Sequence, residues 1–205
     1  MNHPAKRRLA VLGAAFAALA LAGCAASRLL TQQSNPDYVG RPFNSVMVVA
    51  VTSDELLRRT FEDRIVARLG RRGVKGIPAY AAVGSRGRVE ETQLREAVAR
   101  SNAEGVLVTR VTRVDRSSGT IPGATVAVGV GFYGYYAGVW QTVDLPPEQV
   151  SGPSFTVSET RLFDAKTGML AWTGIVETRK SDGLDAALTQ YIDVIFDAMV
   201  SDRVL

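Results

Sequence analysis

Behind Ser45 the run Val46-Met47-Val48-Val49-Ala50-Val51 is apolar at every position, the pattern of a strand covered on both faces. The period then changes: Leu57, Phe61, Ile65 and Leu69 recur every four positions, while Arg58, Arg59, Glu62, Asp63 and Arg68 fall largely elsewhere. This predicts an amphipathic helix, opened by the capping-box spacing of Thr52 and Glu55 and closed at Arg71-Arg72-Gly73. A short strand over 74–80, a Gly/Ser/Arg turn at 84–88, and a second helix over 90–102 with Leu94, Ala97, Val98 and Ser101 as its packing stripe follow. A long strand over 105–114 completes a βαβαβ order, which implies right-handed crossovers and helices against a largely parallel sheet. Farther on, 154–164 and 169–180 read as a hairpin joined by Asp164-Ala165-Lys166-Thr167-Gly168, the glycine supplying a positive φ. Leu184, Leu188, Tyr191, Ile195 and Met199 predict a closing helix capped by Ser181 or Asp182. The expected fold is therefore a single α/β domain with a mixed sheet of about five strands and three helices, βαβαβ then ββα, with Trp172 in its core or on a sheet face.

One stretch breaks the pattern. An insertion at about 117–152 contains, from Gly123 to Trp140, no charge, five glycines and the aromatics Phe132, Tyr133, Tyr135, Tyr136 and Trp140. Each interior glycine costs about 1 kcal/mol of helix propensity, which argues against a membrane helix. Period two fits Val126, Val128, Val130, Phe132, Tyr136 and Trp140 on one face. Gly129, Gly131 and Gly134 match G-x-G-x-x-G, but bulky aromatics occupy the turn and no helix pattern opens after it, so a dinucleotide site is rejected. Three readings stand side by side: a strand extension packed on its own domain, a protein-docking surface built on Phe132, Tyr133, Tyr135, Tyr136 and Trp140, or insertion against lipid. Crossing a membrane as strands would demand a closed ring of subunits.

The amino terminus carries the address. Lys6, Arg7 and Arg8 precede an uncharged run from Leu9 to Ala22, which as a helix rises only about 21 Å against a ~30 Å hydrocarbon core. That is a signal-peptide layout. Leu21-Ala22-Gly23-Cys24 resembles the lipobox of bacterial lipoproteins, and the resemblance implies cleavage before Cys24 and a mature chain that begins at a lipidated cysteine. Ala25, where inner-membrane lipoproteins of enteric bacteria typically carry Asp, implies the outer membrane, facing the periplasm. The chain thus divides into a signal at 1–23, a lipidated terminus and polar tether at 24–42, and a domain at 43–205. As a tether the second segment reaches up to about 60 Å; the alternative is that part of it pairs as an edge strand, with Tyr38 and Val39 as contacts.

Removing the signal changes the inventory. His3 is the only histidine and Cys24 the only cysteine, so the mature chain has neither an imidazole nor a free thiol. Serine–histidine triads, cysteine nucleophiles, zinc fingers and haem ligation by His are excluded. The 24 cations of the whole chain fall to 21, against 20 acids, which gives no case for nucleic acid. No metal site and no cofactor are expected.

Three passages carry a further resemblance: Val46-Met47-Val48-Val49-Ala50-Val51, Ser101-Asn102-Ala103-Glu104-Gly105-Val106-Leu107-Val108, and Leu162-Phe163-Asp164-Ala165-Lys166-Thr167-Gly168-Met169-Leu170-Ala171-Trp172-Thr173-Gly174. They are similar to bacterial envelope lipoproteins with a CsgG/LpoB-like (TolB-N-like, anticodon-binding-like) α/β domain. The resemblance implies work by binding and assembly and transfers no catalytic residue. The expected function is that of a non-catalytic lipoprotein that binds or organises another envelope component, a protein. The alternatives are a membrane-associated homo-oligomer resembling a secretion-channel component and, third, an envelope hydrolase, for which Glu159 and Glu177 on the hairpin are candidate paired acids.

Overall fold

The computed structural model describes residues 27–84, 89–113, 131–143, 155–179 and 183–205. Cys24, the signal, Ser181, Asp182 and the flanks of the glycine-aromatic insertion lie outside the described residues. In chain order the elements are β1 (Ser27–Ser34), β2 (Ser45–Val51), α1 (Glu55–Gly70), β3 (Lys75–Pro78), α2 (Ala79–Val83), α3 (Glu91–Ser101), β4 (Gly105–Arg113), α4 (Phe132–Val143), β5 (Phe155–Asp164), β6 (Leu170–Arg179) and α5 (Gly183–Ser201). The strands form one mixed sheet in the order β1-β6-β5-β4-β2-β3. β2 is parallel to β3 and β4, and β4, β5, β6 and β1 are successively antiparallel. The fold is α/β, as expected, with one strand and two helices more than anticipated.

β2 shows why a continuous apolar run was needed. Val46, Val48 and Ala50 enter the core beneath α1 and α5, whereas Met47, Val49 and Val51 enter a second core beneath α3 and α4. Each side chain so removed from water contributes roughly 1.5–3 kcal/mol. The cap of α1 lies two residues beyond the expected one: the Asp54 carboxylate, rather than Thr52, accepts the Leu57 N–H at 3.0 Å. In the β5–β6 turn Gly168 takes φ +73°, and Asp164 Oδ1 accepts the N–H groups of Lys166 and Thr167 at 3.0 and 2.7 Å.

Two expectations are corrected here. Part of the tether is not a tether, as the alternative reading had it: Ser27–Ser34 is the edge strand β1, paired with β6 from Ser27↔Thr178 to Ser34↔Trp172. Its polar composition hid it, because its side chains find partners on other elements. Ser27 Oγ and Thr178 Oγ1 lie 2.9 Å apart, and Gln32 Nε2 donates to Asp202 Oδ1 at 3.0 Å. Tyr38 does pack, its ring centroid 5.8 Å from that of Phe43, but Val39 is exposed. The second correction concerns α1, where Arg58 and Glu62 are buried rather than solvated. This helix closes over the end of β2 and the start of α2, where backbone donors need an acceptor, and Glu62 supplies it.

Candidate functional site

The glycine-aromatic insertion folds, over its described part, as a helix rather than a period-two strand. Phe132, Tyr135, Tyr136 and Val139 are all buried on one face of α4, packed on Met47, Val49, Val106, Val108 and Phe163. Ring centroids lie 5.5 Å apart for Phe132–Phe163 and 5.4 Å for Tyr135–Phe163. Such contacts are worth about 0.5–1.5 kcal/mol each beyond the area buried, which offsets the propensity cost of Gly134 and Gly138. Tyr136 Oη donates to the Val89 carbonyl at 2.8 Å. Tyr133 is half-buried beneath the Arg95 guanidinium, 3.5 Å from its ring centroid.

Phe132, Tyr135 and Tyr136, expected as partner-binding residues, are therefore core residues, and their burial removes them from any docking surface. Trp140 also lies on α4, and its side chain is outside the described residues. A helix does open after Gly131, contrary to expectation. Its first N–H is nonetheless committed, since Phe132 N donates to the Gly168 carbonyl at 3.0 Å rather than to a phosphate.

Beside this aromatic face sits a charged cluster that sequence reasoning did not assemble. Glu159, on β5, is 2% exposed. Its Oε1 accepts from Arg161 Nε and Nη2 at 2.8 and 2.6 Å, and its Oε2 accepts from Arg110 Nε at 2.5 Å and Tyr135 Oη at 3.0 Å. The Arg161 guanidinium also lies 4.2 Å from the Tyr135 ring centroid. Burial alone would raise the Glu159 carboxyl, but the charges and hydrogen bonds of Arg161 and Arg110 hold it below the usual value. Burial, with the Glu159 charge, pushes the Tyr135 phenol up. Four donors fill the carboxylate's acceptor positions. It locks α4 to the sheet and has no capacity left to take a proton from a substrate.

The candidate acid pair does not form. Glu159 stands opposite Ile175 and Glu177 opposite Val157, and Glu177 Oε1 accepts from Arg28 Nε at 3.2 Å. Trp172 is fully buried, its Nε1 donating to Asp202 Oδ2 at 2.7 Å. A cleft of about 160 Å³ beside Tyr38, Arg41 and Arg203 is small against the ~300–1,000 Å³ of ordinary ligand pockets.

The second buried carboxylate, Glu62, titrates in the opposite sense. Its Oε1 accepts the Ala50 N–H at 3.1 Å and its Oε2 the Tyr80 N–H at 2.9 Å. Burial outweighs these bonds and the nearby Arg58 charge and raises its pKa to about 7. A raised carboxyl contributes stability that is full below the unfolded value and is lost as pH rises through the folded one. Relative to Glu62→Gln, the wild-type protein is expected to lose about 3 kcal/mol between pH 4.5 and 8, measured by urea denaturation across that range. A difference that stays flat with pH would refute the buried, readily protonated carboxyl.

No family model and no curated protein matches the chain. Similar solved structures include two PelC dodecamers from Paraburkholderia phytofirmans, each 14% identical, with TM-scores of 0.47 and 0.44. They cover 82% and 84% of this chain and 95% and 96% of their own. The lipoprotein GNA1162 from Neisseria meningitidis is 13% identical, with a TM-score of 0.39, and the match covers 77% of this chain and 98% of that one. These proteins are not CsgG or LpoB, and the functional reading rests on this chain's own residues.

Proposed function

We propose that the chain is a lipid-anchored lipoprotein of the bacterial envelope, held in the outer membrane through Cys24 and facing the periplasm. In this reading its α/β domain binds or organises an envelope protein and catalyses no reaction. The observation that carries it is Leu21-Ala22-Gly23-Cys24 directly behind a basic and then uncharged terminus, the layout of an exported, acylated chain. The ion-paired state of Glu159 supports the non-catalytic part, since that carboxylate is fully engaged in holding the domain together. With Phe132, Tyr135 and Tyr136 in the core, the partner is met by other residues.

Labelling cells with a palmitate analogue tests the anchor. The wild-type protein is expected to carry the label and fractionate with membranes, and the Cys24→Ser variant to do neither. A variant that still fractionates with membranes sinks the reading. Crosslinking in the native envelope, followed by mass spectrometry, is expected to return one recurrent protein neighbour, and recovery of lipid alone removes the organising role. Size in detergent and in buffer separates a monomeric organiser from a ring-forming oligomer, which a monomer under both conditions excludes.

A further inference from the structure

We infer that the end of the domain carrying Leu56 and Leu184 lies against the lipid surface in which Cys24 is anchored, both leucines reaching headgroup depth. The inference rests on the lipid-anchor reading. It follows from the place of Ser27 at the start of β1. A tether of some eighteen residues would leave the domain's orientation free, but β1 starts at Ser27, three residue steps beyond Cys24, a reach of about 10 Å fully extended. Ser27 is itself fixed, buried and hydroxyl-bonded to Thr178, and Arg28 pairs with Glu177.

Strand directions locate that point. β1 runs against β6, which runs with β4 and β2, so Ser27 lies at the end of the sheet where β2, β4 and β6 finish. α1 and α5 start from that same end and lie side by side, joined by the ion pair of Arg64 with Asp185. Their first turns expose Leu56 and Leu184 at 76% and 62%. The charges around these leucines are already answered: Asp54 caps α1, Glu55 pairs with Arg59 at 2.5 Å, and Asp185 pairs with Arg64. Arg71, Arg72, Lys75 and Arg203 are exposed at the opposite end, while Arg28 and Arg179 are exposed at the leucine-bearing one. The short link brings the leucine-bearing end to the bilayer, and paired charges with exposed leucines suit a lipid interface.

The test uses the full lipidated protein in phosphatidylethanolamine/phosphatidylglycerol vesicles. It carries one added cysteine at a time, Leu56→Cys, Leu184→Cys or Arg72→Cys, labelled with bimane; acylated Cys24 has no free thiol to react. Lipids brominated near the headgroup are expected to quench positions 56 and 184 at least twofold more than position 72. Equal quenching at all three, or stronger quenching at 72, overturns the orientation. So does a label at 56 and 184 shielded from both lipid and aqueous quenchers, which would place a protein there instead. The mass of each intact protein separates the two levels. An unacylated Cys24 overturns the anchor reading, whereas an acylated chain with unquenched leucine positions overturns the orientation alone. Both leucines are exposed, so their replacement leaves the fold intact.

Discussion

Glu159→Gln is expected to destabilise the domain by about 3–5 kcal/mol at neutral pH, because it leaves Arg161 and the partly covered Arg110 without their counter-charge. Arg161 is 4% exposed, so water cannot replace the lost carboxylate there. Tyr135→Phe removes a single hydrogen bond to a charged group and is expected to cost less, about 1.5–3 kcal/mol. Urea denaturation of both variants measures the two losses. The sign of the pH dependence is also fixed. The Glu159 pKa is lowered in the folded state, so its contribution is present above the ordinary carboxylate range and is lost as pH falls through the lowered value. The wild-type advantage over Glu159→Gln should therefore shrink in acid, the reverse of the Glu62 behaviour. A loss below about 1 kcal/mol at pH 7 would mean that the cluster does not hold α4 on the sheet.

Trp172→Ala is expected to cost a similar amount, about 3–5 kcal/mol, through the cavity it opens. The indole is fully buried and lies over Gly174, where an added Cβ would meet its Cη2 at 2.3 Å. The pair is therefore coupled. Gly174→Ala alone should cost about 1–3 kcal/mol by overpacking, yet close to nothing in the Trp172→Ala background, where the space is vacant. Denaturation midpoints of the four proteins in this cycle decide the matter. Additive losses would show that the ring and the glycine do not share that space.

The elements read most directly from sequence are those whose signal is local. β2 needs no partner to be recognised, because an unbroken apolar run has few other solutions. The Asp164–Gly168 turn is equally legible, since its aspartate and its positive-φ glycine sit within five residues of each other. In α5, Leu188, Tyr191, Ile195 and Met199 are buried as the spacing requires, while Leu184, one turn earlier, is exposed. β1 was ambiguous because Thr31-Gln32-Gln33-Ser34 becomes a strand only when β6 is beside it. The helix signal of α4 was present, for Phe132, Tyr135, Tyr136 and Val139 fall at i, i+3, i+4 and i+7. The glycines and the valines at 126, 128 and 130 favoured period two instead. The cluster around Glu159 joins Arg110, Tyr135 and Arg161 from three elements, a juxtaposition set by register rather than by any motif. Glu62 was hidden for a related reason, since its helical position marks it as solvated until the end of β2 and the start of α2 meet it.

The hydroxyl pair between Ser27 and Thr178 spans 151 positions, so β1 meets its partner only after most of the chain has been made. A chain delivered amino end first releases β1 at the outset and its partner β6 almost last. Until then β1 waits unpaired, and when β6 arrives its outer edge is an open row of backbone donors and acceptors. Any extended peptide, including the β1 of a second copy, can occupy that row before the chain's own strand returns. Closing the sheet is thus a race between self-completion and strand exchange, and crowding many newly delivered copies together favours the exchanged form.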